Sequence, residues 1–358
     1  MKKPRSLTTL LVFSIAVLLA SSGVACAYYG PSSYDELQAD LFTLTTAGSS
    51  NSPPPSADGT VAIGSYNPDV PHEDLTGLEN YNAAAGRKAA YVSWHQSFGP
   101  SYEAEFSAPS AKALLDEGYG QVLTWNPADY RYGANQPVYS QDAIIRGDYD
   151  SYMRQYLTGI KNSGIPTIYL RFAHEMNGDW FAWGDHGMNG NSPENYRQMF
   201  QHVVDLSREV GATNIEWVWC PSVSYAANVK HPMSAFYPGD DYVDWICLDG
   251  YNWAEVHETK SVSFDTIYVV SYAEITAITD KPLMIDEYSS HETTQSYTKA
   301  QFFDDLRTVI PQKYPRIKAM SVFNVEADGG NWPITSSTAA NDAYSRLVAD
   351  PYYAGSLP

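Results

Sequence analysis

From Thr60 onward, short apolar runs alternate with longer helix-like stretches, and no other feature of the chain constrains its fold as tightly. Eight runs read as strands: Val61–Tyr66, Ala89–Trp94, Gln121–Trp125, Pro166–Ala173, Ile215–Cys220, Asp244–Leu248, Lys281–Asp286 and Ile317–Phe323. The stretches between them carry helix signals. SAPSAKALLDEG offers Ser110 as a cap and Gly118 as a stop. SPENYRQMFQHVVDLSREVG offers Ser192 as N-cap, Pro193 at the first helical position and Gly211 at the end. Eight of each over about 290 residues fits a (β/α)8 TIM barrel, one α/β domain spanning 60–358, better than an open doubly wound sheet.

A barrel carries its working residues at the C-terminal ends of its strands, and two glutamates stand there. YLRFAHEMNGDWFAW, Tyr169–Trp183, is a strand end running into a polar, aromatic loop centred on Glu175. PLMIDEYSS, Pro282–Ser290, is a short apolar run that stops at Glu287. Alternation places Tyr169, Arg171, Ala173 and Glu175 on one face of the fourth strand, and Leu283, Ile285 and Glu287 on one face of the seventh. With those faces inward, both carboxylates point over the mouth. Arg171 then lies one layer below, where a guanidinium can hold a nearby carboxylate ionised.

Upstream of the barrel, residues 1–27 have Lys2, Lys3 and Arg5, then the apolar run Leu10–Ala20, then the small residues Ala25-Cys26-Ala27. That is the pattern of a secretory signal peptide, too short in its apolar part to span a membrane. Cys26 offers a second reading, a lipid-modified N-terminal cysteine, although Gly23 stands where a large aliphatic residue is usual. Residues 28–48 are weakly patterned, and SSNSPPPSADG, 49–59, reads as a linker. Cleavage after Ala27 takes three of the 22 Lys+Arg and no acid, which leaves 19 against 41 Asp+Glu, formally −22. So acidic a surface repels nucleic acid and anionic membrane and suits a neutral partner. Of the remaining cysteines, Cys220 and Cys247 either pair or sit as free thiols in neighbouring strands, a choice sequence leaves open.

Two carboxylates in an aromatic cleft meet the requirement for glycoside hydrolysis. One acid must keep its proton for the leaving oxygen while the other is ionised. Rings supply stacking surfaces for sugar faces. The chain has 9 Trp and 28 Tyr, and Trp94, Trp125, Tyr130, Trp180, Trp183, Tyr237, Tyr251, Trp253 and Trp332 fall at or beyond strand ends. HEMNG lacks the second His of a zinc helix, so neither a catalytic metal nor a cofactor is expected. Asp240 and Asp241 read as exposed loop acids rather than a calcium site, and a GxSxG elbow is absent.

RFAHEMNGDWFAW, WVWCPS, YPGDDYVDWICLDGYNW and MIDEYSS resemble the motifs of glycoside hydrolase family 26, retaining endo-β-glycanases on a (β/α)8 barrel. These are mostly β-mannanases, with some β-glucanases and β-1,3-xylanases. The resemblance spans roughly residues 60–350. It implies that Glu175 is the acid/base and Glu287 the nucleophile. It also implies that His174 and Trp180 line the cleavage subsite and that Tyr251 hydrogen-bonds the nucleophile. Trp125, Trp332 and Arg171 complete the set expected around the substrate. Two positions depart from the mannanase pattern: Asn126 stands where a His often follows the third-strand Trp, and Asn331-Trp332-Pro333 replaces Asp-Trp-Arg. Family frequency favours β-mannan, and these departures move weight toward a β-glucan. The expectation is a secreted, monomeric, retaining endo-β-1,4-glycanase acting on a polysaccharide, with β-mannan as the first assignment and mixed-linkage β-glucan or β-1,3-xylan as the alternative. Its rival from another class is a carbohydrate-binding barrel without activity, which would have no use for a matched acid pair.

Overall fold

The computed structural model describes residues 59–358, except 73, 100–104, 186–187, 226–228 and 258–259, together with 16–18 and 25–27. Residues 55–358 form one compact unit and residues 1–54 another. In the latter, Ala16–Leu18 and Ala25–Ala27 pair as antiparallel strands. The signal-peptide, Cys26 and linker readings otherwise lie outside the described residues.

Eight parallel strands close a barrel: β1 Ala62–Tyr66, β2 Tyr91–Ser97, β3 Gly120–Asn126, β4 Ile168–Phe172, β5 Ile215–Trp219, β6 Trp245–Asn252, β7 Leu283–Ser290 and β8 Ile317–Phe323. Strand β8 pairs with both β7 and β1. All eight correspond to strands expected from the sequence. The α-helices, in chain order, are α1 Thr76–Ala85, α2 Ala108–Asp116, α3 Gln141–Ile145, α4 Asp150–Asn162, α5 Pro193–Val210, α6 Phe264–Ile278, α7 Lys299–Lys313 and α8 Thr338–Ala349.

These do not follow one per strand. Two helices lie between β3 and β4, whereas among the described residues β5 and β6 are joined without an α-helix, only the 3-10 turn Met233–Phe236. Helix α5 starts and stops as its sequence dictates: Ser192 accepts the Asn195 N–H, Pro193 opens the helix and Gly211 takes a left-handed φ of 73°. In α2 the cap position belongs to Ser107, not Ser110, which lies buried in the first turn. Pro109 near the helix start fixes that boundary.

The barrel interior is apolar at its lower end, where Ala62, Val122, Tyr169, Val218, Trp245 and Met284 meet. The C-terminal tail closes that end. The Gly355 N–H donates to Val61 O at 3.0 Å, and the Tyr169 hydroxyl donates to Pro358 O at 2.8 Å. Tyr169 and Arg171 face inward and Leu170 and Phe172 pack under the helices, as alternation requires.

The seventh strand breaks that rule. Leu283 and Ile285 pack outward while Met284 faces in, so a strict alternation would send Glu287 out with them. An extra residue in β7 prevents it. Cys247 and Asp249, two apart on β6, pair with Met284 and Glu287, three apart; Met320 and Val322 on β8 pair with Ile285 and Tyr288. This bulge lets the adjacent residues Asp286 and Glu287 both reach the interior.

Candidate active site

Strand β4 stops at Phe172, so alternation does not aim Glu175 either. Ala173 and Glu175 adopt left-handed φ values of 48° and 52°, which turn the chain across the barrel mouth. The strained segment is held by its neighbours. The Ala173 N–H donates to Trp125 O at 3.1 Å, the Glu175 N–H to Cys220 O at 2.6 Å, and the Trp183 indole to His174 O at 2.7 Å. Asn177 and Ser222 exchange two hydrogen bonds, at 2.8 and 2.9 Å, which tie this loop to the one after β5. Gly178 then makes room for Trp180, since a Cβ there would sit 2.3 Å from its ring. The Trp180 indole donates to Glu175 Oε2 at 2.7 Å.

Glu287 has the opposite surroundings. Arg171 Nη2 donates to its Oε1 at 2.5 Å and the Tyr251 hydroxyl to its Oε2 at 2.5 Å. His95 Nε2 lies 3.6 Å and His174 Nε2 3.7 Å from Oε1. His174 is turned by Asn126, whose Oδ1 lies 3.2 Å from His174 Nδ1. Arg171 also donates to Asp249 Oδ2 at 2.5 Å and lies 3.3 Å from Asp286 Oδ2, which accepts from Ser93. Cys220 and Cys247 are joined as a disulfide inside the barrel, with Cα atoms 4.3 Å apart.

One guanidinium thus faces three buried carboxyls. Burial pushes Asp249 well above the ordinary carboxylate range and Asp286 up to about 6, with Arg171 offsetting part of each shift. Burial also opposes ionisation of Glu287, but Arg171 and the Tyr251 hydrogen bond outweigh it and hold its pKa below the usual value. Burial pushes His95 down to about 4 and His174 well below its ordinary value, so both rings are neutral at pH 7 and Arg171 supplies the charge. Glu175 goes the other way: burial, then the charge of Glu287, raises it to about 8 against the Trp180 hydrogen bond. One carboxyl keeps its proton at neutral pH and its neighbour does not, the division of labour that acid-assisted displacement at an acetal needs.

Donor atoms of His174, Asp249 and Glu287 lie close enough together for a metal, as do those of Cys220, Cys247 and Asp249. In the first group Arg171 already bonds both acids, and in the second the sulfurs are bonded to each other.

Of the residues expected from sequence, Glu175, Glu287, His174, Trp180 and Tyr251 come together at the mouth. Three others have different places. Trp125 points outward, fully buried and stacked on Tyr156 at 4.2 Å, because the inward positions of β3 are Thr124 and Asn126. Arg171 is fully buried below Glu287 and supports the carboxylates instead of meeting a sugar. Trp332 is 1% exposed, packed against Tyr251 and Trp253, and offers no open face. Trp94 and Trp183 are likewise core residues, whereas Trp180 is 39% and Tyr130 51% exposed. Sequence reasoning passed over His95, Asp249 and Asp286. For His95 the signal was there, a polar residue on the inward parity of β2 after Tyr91 and Ser93.

Residues 104–310 match the model of glycosyl hydrolase family 26. The chain belongs to that family. Endoglucanase H of Acetivibrio thermocellus is 31% identical over 276 residues, 76% of this chain and 29% of that protein. A mannan endo-1,4-beta-mannosidase of Bacillus subtilis is 32% identical over 165 residues, 45% of this chain and 39% of that one. The beta-1,3-xylanase TXYA of a Vibrio species is 34% identical over 152 residues, 41% of this chain and 28% of that one. The chain therefore spans well under half the length of these three relatives. Among solved structures, Bacillus subtilis mannanase man26 superposes with a TM-score of 0.60 at 21% identity, over 84% of this chain and 87% of that one, a likeness of fold. The family 26 barrel thus accounts for the site's position at the C-terminal ends of β4 and β7.

Proposed function

We propose that this family 26 chain is a retaining endo-β-glycanase with Glu175 as acid/base and Glu287 as nucleophile. The observation that carries the reading is the split between the two carboxyls, Glu287 clamped by Arg171 and Tyr251, Glu175 buried near the Glu287 carboxylate with one indole donor. Glu287 attacks the anomeric carbon as the glycosidic C–O bond breaks, and the Glu175 proton goes to the leaving oxygen. Water then attacks the glycosyl–Glu287 ester, gives its proton to Glu175 and frees Glu287 with net retention. His174, neutral and held by Asn126, and the exposed indole of Trp180 border the sugar being cleaved.

The backbone we favour is a β-1,4-linked or mixed-linkage glucan. Similarity to Endoglucanase H runs over 76% of the chain, against 45% for the Bacillus subtilis mannosidase, and Asn126 and Pro333 stand where mannanases usually carry His and Arg. Mannan is the second reading, supported by the mannan-degrading names among relatives and fold neighbours. The signal-peptide pattern of residues 1–27 supports export, with Cys26 as a site of lipid attachment if cleavage precedes it, and a polymeric substrate supports action outside the cell as a monomer.

The test is reducing-sugar release from mixed-linkage glucan, glucomannan, mannan and β-1,3-xylan, with the anomer of the first product followed by NMR. Release greatest on glucan with retained configuration is expected. Preference for mannan would replace the backbone assignment, inversion would remove the covalent step, and no release from any polymer would sink the enzyme reading.

A further inference from the structure

Helix α7 opens with a fully buried lysine, Lys299. The helix dipole opposes a cation there, and burial pushes the ammonium down to about 7, with Glu292 pulling the other way. In return the ammonium meets three successive carbonyl oxygens, Asn331 at 3.0 Å, Trp332 at 2.9 Å and Pro333 at 2.7 Å, a partner for each of its N–H groups. The same segment accepts from Ser289 Oγ at Trp332 O, 2.8 Å, and donates from the Asn331 N–H to His291 Nδ1, 3.0 Å. A buried, unneutralised lysine is a poor device for stability alone. It is well suited to fixing one loop in one place.

What that loop carries is Trp332. Its ring lies flat enough on the backbone that a Cβ at Gly330 would come within 2.0 Å of it, and its indole donates to Ala327 O at 2.9 Å. The ring centroid is 4.9 Å from Trp253 and 5.1 Å from Tyr251. Tyr251 in turn gives its hydroxyl proton to Glu287 Oε2.

We propose that Lys299 is a positioning residue for Glu287: its three bonds to the 331–333 loop seat Trp332 against Tyr251 and so keep the Tyr251 hydroxyl on the carboxylate. This rests on reading Glu287 as the nucleophile. The other groups that face Glu287 are Tyr66 on β1, His95 on β2, Tyr130 after β3, Arg171 on β4, His174 and Glu175 in the loop after it, Asp249 on β6, Tyr268 on α6 and Asp286 on β7, whereas the Lys299 ammonium donates to the 331–333 carbonyls.

The test is Lys299→Met in the full chain, with carboxyl-13C glutamate and the Glu287 signal assigned through Glu287→Gln. Losing a hydrogen bond to the ionised form should raise the Glu287 titration midpoint by about one unit. Turnover should fall about tenfold while KM moves by less than about twofold. In a Tyr251→Phe background the same substitution should add no further shift in the midpoint. An unchanged Glu287 midpoint in folded Lys299→Met would overturn the proposal, as would an equal shift with and without Tyr251. Should Lys299→Met fail to fold, Ser289→Ala removes one of the loop's other holders, and an unmoved midpoint there would overturn it equally. The titration needs no substrate, so absence of hydrolysis by the wild type would refute the catalytic reading without deciding this one.

Discussion

Glu175 and Glu287 are the same residue type at the same end of the same barrel, and their neighbours alone set them apart. With Glu175 in the proposed role of acid, activity should fall as pH rises through about 8, the value to which burial raises it. With Glu287 in the proposed role of nucleophile, activity should fall again on the acid side, below the ordinary glutamate value of 4.5, since Arg171 and Tyr251 hold it down. Trp180→Phe removes a donor from the ionised form of Glu175, so the alkaline limb of kcat/KM should move upward; a downward move would show that the indole does not act on this carboxyl. Arg171→Met leaves Asp249, Asp286 and Glu287 buried without their cation and should cost about 3–5 kcal/mol in chemical denaturation. A loss under about 1 kcal/mol would mean that the acids simply take up protons in its place. The two glutamates were legible from sequence because a polar residue ending an apolar run is conspicuous. Trp125 was misread because a tryptophan at a strand end looks the same whether its parity sends it to the mouth or under α4. Asp249 and Asp286 went unnoticed because single acids carry no sequence mark of burial.

At the scale of elements, the strands were legible as runs, and their faces were not always. Alternation was right for Arg171 on β4 but failed on β7, where the extra residue turns Glu287 inward beside Asp286. A bulge leaves no trace in a run such as LMIDEYSS. On β4 the aim comes instead from two left-handed residues, and these make a test. A left-handed alanine costs roughly 1–2 kcal/mol, a cost that a β-branched side chain increases and glycine escapes. Ala173→Gly should therefore melt close to the wild type, while Ala173→Val loses about 2 kcal/mol or more. Equal losses would show that packing of the alanine methyl, and not the backbone turn, governs this site. The eightfold alternation also concealed a connection without an α-helix among the described residues. The segment between β5 and β6 is as long as a helical connection, and its WCPSVSY and YPGDDY stretches gave no hint that its described residues would form a 3-10 turn and no α-helix.

Across the whole molecule the barrel has a working end and a sealed end. Removing residues 356–358 should cost about 1–3 kcal/mol, because Leu357 leaves the lower interior and Tyr169 loses its acceptor, yet kcat should be unchanged. A fall in kcat in the folded truncation would mean that the two ends communicate. The seam between β5 and β6 has a different consequence. Its ladder holds two residue pairs, Val218 with Trp245 and Trp219 with Ile246, before pairing resumes at Ser222 and Asp249. In the gap stand Cys220 and Cys247, opposite each other in the same register and covalently joined. No α-helix among the described residues follows β5 to cover this seam. Cys220 also carries the carbonyl from which the Glu175 amide hangs, and Cys247 lies two residues before Asp249, a partner of Arg171. The crosslink therefore works as a rivet through the barrel wall: without it, the crack most open to spreading would run between the support of Glu175 and the support of Glu287.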